Sequence, residues 1–354
     1  MGLFPSDRDL TRPAERVELR IDASAVGARI EGFEERLDMF LARRLSWRSR
    51  SSVQRLIKEG WVSVDASTPE SPDGSGSFLR EIRPGRRLRH ASRVEVRIPP
   101  PERLPAAENT DAALDVLWDD AVSLAVDKPA GLPVHPSGRH VSDTLIQRVH
   151  AHRREEIEKT GVAPRLCHRL DRETSGIVLV ATDLQAHRQI LRQFERREVE
   201  KEYLAIVHGE LAEERGSIDY PLGPARASHV ALKIAVTADG LPCRTSWRVE
   251  RRGRDCTLLR CQLHTGRQHQ IRVHLAAIGH PLVGDKLYAH DEAIFQRGVE
   301  GCLSDEDRRL LILERHALHH HRLVFRSPAT SAGRVEIESP LPADLAAFLA
   351  SRGE

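Results

Sequence analysis

The chain of 354 residues predicts an α+β protein in two domains. Three observations carry that reading. A proline-rich run, PPPERLPAAENTD at 99–111, has the composition of a semi-rigid linker and divides the chain. Ahead of it, apolar residues recur first at helical spacing and then in alternation. Behind it, short apolar runs are spaced too irregularly for repeated strand–helix units, which favours a mixed α+β domain over a doubly wound parallel sheet.

The elements follow in order. RVELRID at 16–22 alternates and reads as an edge strand. In ERLDMFLARRL, Leu37, Phe40, Leu41 and Leu45 form one helical stripe. SSVQRLIKEG repeats the pattern with Val53, Leu56 and Ile57, with Ser51 or Ser52 as N-cap and Gly60 as the stop. WVSV and RVEVRIP are partner strands, and DASTPESPDGSGS between them is a mobile loop. Beyond the linker, AVSLAVDKP, GIVLVAT, YLAIVHG, TLLRCQL and RLVFRSP read as strands. LQAHRQILRQFERR reads as a helix capped by Asp183, with Ala186, Ile190, Leu191 and Phe194 on one face. RQHQIRVHLAAIG reads as another, with Ile271, Leu275 and Ile278 buried and Gly279 ending it.

With 40% hydrophobic and 30% charged residues the chain is an ordinary globular protein, and aromatics at 4% leave the core to aliphatic side chains. The five cysteines (Cys167, Cys243, Cys256, Cys261, Cys302) show neither Cys-x-x-Cys nor disulfide-like spacing, so reduced thiols and a cytoplasmic location are expected. The N-terminus lacks the apolar core of a secretion signal, and no run approaches a membrane span. Nothing requires more than a monomer.

The net charge of +2 conceals a local imbalance: from Arg43 to Lys58 there are six cations (Arg43, Arg44, Arg48, Arg50, Arg55, Lys58) and no carboxylate. Such a run is either a solvated helical face or a phosphate-binding surface. Its arrangement, RLDMFLARR, then SRSSVQRLIKEGWVSVD, then RVEVRIP, resembles the small RNA-binding domain called S-four-like, over residues 34–99. The resemblance implies RNA as the partner. The long insertion STPESPDGSG stands where a tight hairpin is usual.

The chemistry concentrates in HRLDRETSG at 168–176. Asp171 lies between Arg169 and Arg172 at the mouth of an apolar strand, where a carboxylate costs desolvation unless it is paired. Alone, this reads as a structural ion pair. Three other stretches change the reading: VDKPAGLPVHPSG (126–138), KEYLAIVHG (201–209) and LHTGRQHQIRVHLAAIGHPLVGDKLY (263–288). In this order, with TGR-x-HQIR-x-HL about a hundred residues after HRLD-x-x-TSG, they resemble the RluA-type pseudouridine synthases over roughly residues 115–348.

That resemblance implies a largely antiparallel catalytic sheet with flanking helices, set within residues 112–350 after a linker at 100–111. It implies an RNA uridine isomerase that needs no cofactor and no metal, because the reaction neither adds atoms nor changes oxidation state. Asp171 matches the essential aspartate, which either attacks the anomeric carbon or removes a sugar proton. Arg272 matches its cationic partner, and Tyr203 the active-site tyrosine that stacks on uracil. Leu275 matches a leucine that packs against the flipped base. Arg169 matches a residue that enters the space left by the extruded nucleotide, while Arg267 and His269 fall among the substrate contacts. Asp127 stands where asparagine is frequent and His264 where an acidic residue is common.

Two other readings use the same residues. The cluster His316, His319, His320 and His321 invites a metal-dependent phosphoesterase with Asp171 as ligand, but it lacks motif spacing and reads better as a strand edge near RNA. A non-catalytic RNA-binding or ribosome-assembly factor would keep the fold but need not keep Asp171, Tyr203 and Arg272. Large-subunit ribosomal RNA is the favoured substrate and transfer RNA the second.

Overall fold

The structure, a computed structural model, describes all residues except 1–8, 12–14, 24–28, 45–49, 70, 73, 101–106, 137–139, 330–332 and 354. Leu45, Arg48 and residues 101–106 of the 100–111 linker therefore lie outside the described residues. The chain divides into two compact units: Met1–Ala112 with His135–Ala163, and Ala113–Val134 with Pro164–Glu354.

In the first unit, helices Leu37–Arg44 and Arg50–Lys58 bury Leu37, Phe40, Leu41, Val53, Leu56 and Ile57 against Val62, Val64, Val94 and Val96 of a four-stranded sheet. The strand order is Arg16–Arg20, Arg93–Arg97, Val62–Asp65, Leu79–Arg80, so the first strand is an edge as its alternation suggested. The second helix starts at Arg50, which places Ser51 and Ser52 inside its first turn rather than at the cap. Gly60 ends it at φ +79°, a left-handed conformation open to glycine. His135–Ala163 brings two helices, Leu145–His152 and Arg154–Thr160, that periodicity did not reveal. Their attachment is polar: Gln147 donates to the Leu10 carbonyl and His150 Nδ1 accepts from the Leu10 N–H.

The second unit is built on a ten-stranded sheet. Its main order is Arg215–Ile218, Thr245–Gly253, Cys256–Leu263, Glu200–His208, Leu318–Arg326, Ser175–Ala181, Ser123–Lys128, Val116–Asp119. Arg334–Glu338 also pairs with Leu318–Arg326, and Arg165–Leu166 with Ser175–Ala181. One pairing is parallel, Ser175–Ala181 against Leu318–Arg326; the others are antiparallel, and the unit is α+β. SGIVLVA is buried at every position, as a central strand between two neighbours requires. Helix Leu184–Glu195 covers one face, capped by the Asp183 carboxylate accepting from the Ala186 N–H at 2.8 Å. Helices Glu292–Glu300, Asp305–Leu311 and Ala343–Ser351 complete the shell.

Candidate active site

The cleft of the second unit forms where the HRLDRETSG loop meets helix Gln270–Ala277. Two side-chain systems hold the loop. Thr174 bonds His316 Nε2 at 2.7 Å, Ser175 bonds His319 Nδ1 at 3.0 Å, and the Glu173 carboxylate accepts from the His316 N–H at 3.3 Å. Gly176 completes this junction: at φ +110°, a Cβ there would sit 2.3 Å from the His320 carbonyl oxygen. On the other side Lys128, wholly buried, donates to the carbonyls of Pro129, Leu132 and Arg172 at 2.8–2.9 Å. Three acceptors match the three N–H bonds of an ammonium, although burial pushes Lys128 down to about 7. The DKPAG turn is thus fastened to the residue after Asp171.

The helix start is equally constrained. Gln270 accepts from Thr265 Oγ1 and the Arg267 N–H, and donates to the Arg244 carbonyl and Thr245 Oγ1. His269 precedes it in the left-handed region at φ +55°, a strained conformation for a residue with a Cβ. The helix is therefore shorter than its sequence pattern, and Arg267 belongs to the turn.

Arg272, in the first turn, carries the centre of the site. Its Nη1 donates to Asp171 Oδ2 at 2.9 Å, while Nε and Nη2 donate to Asp285 Oδ2 and Oδ1 at 2.7 and 2.9 Å. Arg272 is 7% exposed, Asp285 0% and Asp171 26%, so the guanidinium bridges one sealed carboxylate and one that opens to the cleft. Asp285 also accepts from the Leu287 and Tyr288 N–H groups, which fix its direction. Burial alone would push the Asp171 carboxyl up; the Arg272 guanidinium, with smaller help from His269 and His316, outweighs it and holds the group below its ordinary value.

His269 Nε2 lies 3.7 Å from Asp171 Oδ2, and its Nδ1 is 2.7 Å from the Tyr288 hydroxyl. That hydroxyl also accepts from the Ile234 N–H, so its own proton goes to Nδ1 and leaves His269 with Nε2–H facing Asp171. Burial lowers His269 to about 4, and the imidazole is neutral. Tyr203 lines the cleft and stacks on His320 with ring centroids 4.4 Å apart. Burial, reinforced by Asp171, pushes its phenol up, so it stays protonated. Leu170, Leu263, Ile271 and Leu318 supply the apolar lining.

Asp171, Tyr203, Arg272, His269, Arg169 and Arg267 all line this one cleft. Leu275 does not: it is wholly buried, and Ile271 is the residue of that helix whose apolar side chain reaches the lining. A three-residue step turns a side chain roughly 60° away from Arg272. Asp127 and His264 lie outside the lining, bonded to Ser339 and Ser246. The histidine cluster requires a correction. Strand Leu318–Arg326 is interior, His316, His319 and His320 are buried, and their ring nitrogens serve Thr174, Ser175 and the Ile177 carbonyl rather than an exposed RNA-facing edge. Among the described residues, no group of three or more His, Cys, Asp or Glu is arranged to hold a metal ion.

In the first unit, the cations of the 43–58 run divide. Arg50 gives a double hydrogen bond to Asp38, a carboxylate with no exposure that also receives Arg36 and Gln54. Arg43 pairs with Glu35 at 2.6 Å, and Arg55 lies 3.9 Å from Glu59. Arg44, whose guanidinium sits 5.8 Å from the Phe40 ring centre, and Lys58 are exposed.

Comparison with known proteins decides the family. A family model described as RNA pseudouridylate synthase matches residues 122–277. An uncharacterized RNA pseudouridine synthase of Aquifex aeolicus is 38% identical over 316 residues, covering 88% of this chain and 92% of that protein. The chain belongs to the RNA pseudouridine synthases. The ribosomal large subunit pseudouridine synthase D of Nitrosomonas europaea is 36% identical over 319 residues, covering 89% of this synthase and 83% of its relative. Among solved structures, human RNA pseudouridylate synthase domain containing 1 superposes with a TM-score of 0.52 at 26% identity, covering 66% of this chain and 86% of that one. The second unit of the synthase therefore has the pseudouridine synthase fold, a mixed sheet with helices.

Sequence reasoning passed over three residues of this synthase. Asp285 sits in GHPLVGDKLY, which reads as a turn; its signal was an acidic residue closing the short apolar run PLVG. Lys128 and Glu173 lie within recognised motifs, but their partners are loop carbonyls and Lys286, which no spacing rule reveals.

Proposed function

We propose that this synthase converts specific uridines of large-subunit ribosomal RNA to pseudouridine, with Asp171 acting on the ribose of a uridine turned out of its helix. The Asp171–Arg272–Asp285 arrangement is the observation that carries the reading. It keeps one carboxylate charged and open to a cleft whose other walls combine apolar and neutral side chains with the cations Arg169 and Arg267. The reaction breaks the bond from C1′ to N1 and forms one from C1′ to C5; the proton on C5 leaves and N1 gains one, so the net change is isomerisation. A charged carboxylate can attack C1′ or take the C2′ proton, and either role needs Asp171 ionised.

Flipping costs a few kcal/mol of stacking, which a base recovers in part by stacking within the cleft. Tyr203, backed by His320, offers its ring to the uracil as a neutral phenol, and Arg169 stands at the rim to enter the vacated stack. The name of the Nitrosomonas relative supports ribosomal RNA as the substrate. The helix pair and antiparallel strands of the first unit support an S-four-like RNA-binding role, with Arg44, Arg55 and Lys58 toward phosphates.

The test is incubation of a large-subunit ribosomal RNA transcript with the protein, followed by carbodiimide-adduct primer extension. New pseudouridine stops at one or a few uridines, absent from transfer RNA transcripts, are expected. Stops confined to transfer RNA would move the substrate, and none in either RNA would overturn the reading.

A further inference from the structure

Lys201 lies on the same face of strand Glu200–His208 as Tyr203, because side chains two apart in a strand share a face. Its neighbour Glu202 pairs in register with Gln262, the residue before Leu263 of the cleft lining. Its ammonium is 3.6 Å from where a Cβ would stand on Gly266, next to the rim residue Arg267. The side chain is half-buried, and burial lowers its pKa. Yet among the described residues it makes no hydrogen bond or ion pair; its Nζ lies 5.8 Å from the centre of the Phe194 ring.

Nothing beside it supplies a negative charge. The flanking carboxylates face the other way and are engaged: Glu200 by Arg322 and Arg334, Glu202 by Arg322 and Arg260. The imidazoles within its electrostatic reach, His168, His264 and His320, are all lowered, and burial is the largest cause for each. A lysine held partly out of water without an anion is costly, and the cost persists only where something else uses the charge. The one anion an RNA chain offers is its phosphodiester.

We propose that Lys201 binds a backbone phosphate of the RNA beside the flipped uridine, and so positions the nucleotide over Asp171. This rests on the reading that the cleft receives a uridine of an RNA chain. Lys201 touches the strand rather than the reacting atoms and is a positioning residue. Arg169 and Arg267, whose guanidinium groups also make no ion pair among the described residues, would share the same strand.

The test compares wild type, Lys201→Met and Lys201→Arg. A large-subunit ribosomal RNA transcript is the probe, with binding measured across potassium chloride concentrations, single-turnover rates at saturating protein, and thermal melting. Lys201→Met should weaken binding roughly 5- to 20-fold. It should also reduce the slope of log affinity against log salt by about 0.7–0.9, the loss of one phosphate contact. Its saturated rate should fall roughly 3- to 10-fold, because the nucleotide is less well placed over Asp171, and it should melt no lower than wild type, because removing an uncompensated half-buried charge costs the fold nothing. Lys201→Arg should restore the slope. A slope unchanged in Lys201→Met, or a lowered melting temperature there, would overturn the proposal. The binding comparison does not depend on turnover, so a wild type that binds but modifies nothing would count against the proposed function alone.

Discussion

Replacing Asp285 by asparagine keeps the shape of the side chain and removes one charge. In the native site Oδ2 accepts from Arg272 Nε at 2.7 Å; Oδ1 accepts from Nη2 at 2.9 Å and from the Leu287 and Tyr288 N–H groups at 2.9 and 3.1 Å. An amide has one oxygen. If that oxygen keeps the Leu287 side, its NH2 meets Arg272 Nε donor to donor. Arg272 is 7% exposed and Asp285 0%, so water cannot compensate. Breaking one partner of such a pair costs about 3–5 kcal/mol. For a folding unit of this size that lowers the melting temperature by about 6–20 °C. The guanidinium also loses most of what holds it against Asp171, and a shift of about 1 Å costs up to ~100-fold in rate. Tritium release from a transcript labelled at uridine C5 reads the rate, since the C5–H bond must break, and calorimetry reads the stability. A variant melting within about 2 °C of wild type and reacting within about twofold would refute the argument.

Further expectations follow from the titration of the site, from Lys128 and from the first unit. Asp171 and Asp285 both ionise below the ordinary aspartate value, so their charges, and the stability tied to them, are fully present above about pH 4 and lost as pH falls through the lower folded values. With His269 and His316 both near 4, the profile of kcat/KM should show its acid limb at or below about pH 4; a limb near 6.5 would show that one of these imidazoles titrates normally. Lys128→Met strands the Pro129 and Leu132 carbonyls and leaves the DKPAG turn tied to the Asp171 loop only by the Gly131 N–H donating to the Arg172 carbonyl, so tritium release should drop at least ~10-fold while RNA binding holds; equal rates would show the loop needs no such tie. In the first unit, Arg44→Ala, Arg55→Ala and Lys58→Ala combined should flatten the salt dependence of RNA binding by about 2–3 in log–log slope, whereas an unchanged slope would remove this surface from the interface.

Much of this was legible in the chain, for identifiable reasons. GIVLVA is apolar at every position because it lies between two neighbouring strands with both faces covered, and that leaves a plain mark. The motif residues Asp171, Tyr203, Arg272, Arg169, Arg267 and His269, far apart in sequence, line one cleft. What misled was polarity taken for exposure. HALHHH looks like a wet edge, yet the His316, His319 and His320 imidazoles are interior, where each ring has a nitrogen bonded to a hydroxyl or carbonyl of the Asp171 loop or a neighbouring strand. Leu275 shares a helix with Arg272 but not its face toward the cleft, a distinction that depends on how the helix is rolled against the sheet. Asp285 and Lys128 act through partners set by folding, not by spacing.

Asp171→Asn, assayed for tritium release and RNA affinity on the same large-subunit ribosomal RNA transcript, bears on the chemistry with the fewest intervening assumptions. Binding within about threefold of wild type and no release above background are expected, because the amide can still meet Arg272 through its oxygen but can neither attack C1′ nor accept the C2′ proton. Release at a rate within about tenfold of wild type would mean that the reaction does not run through this carboxylate.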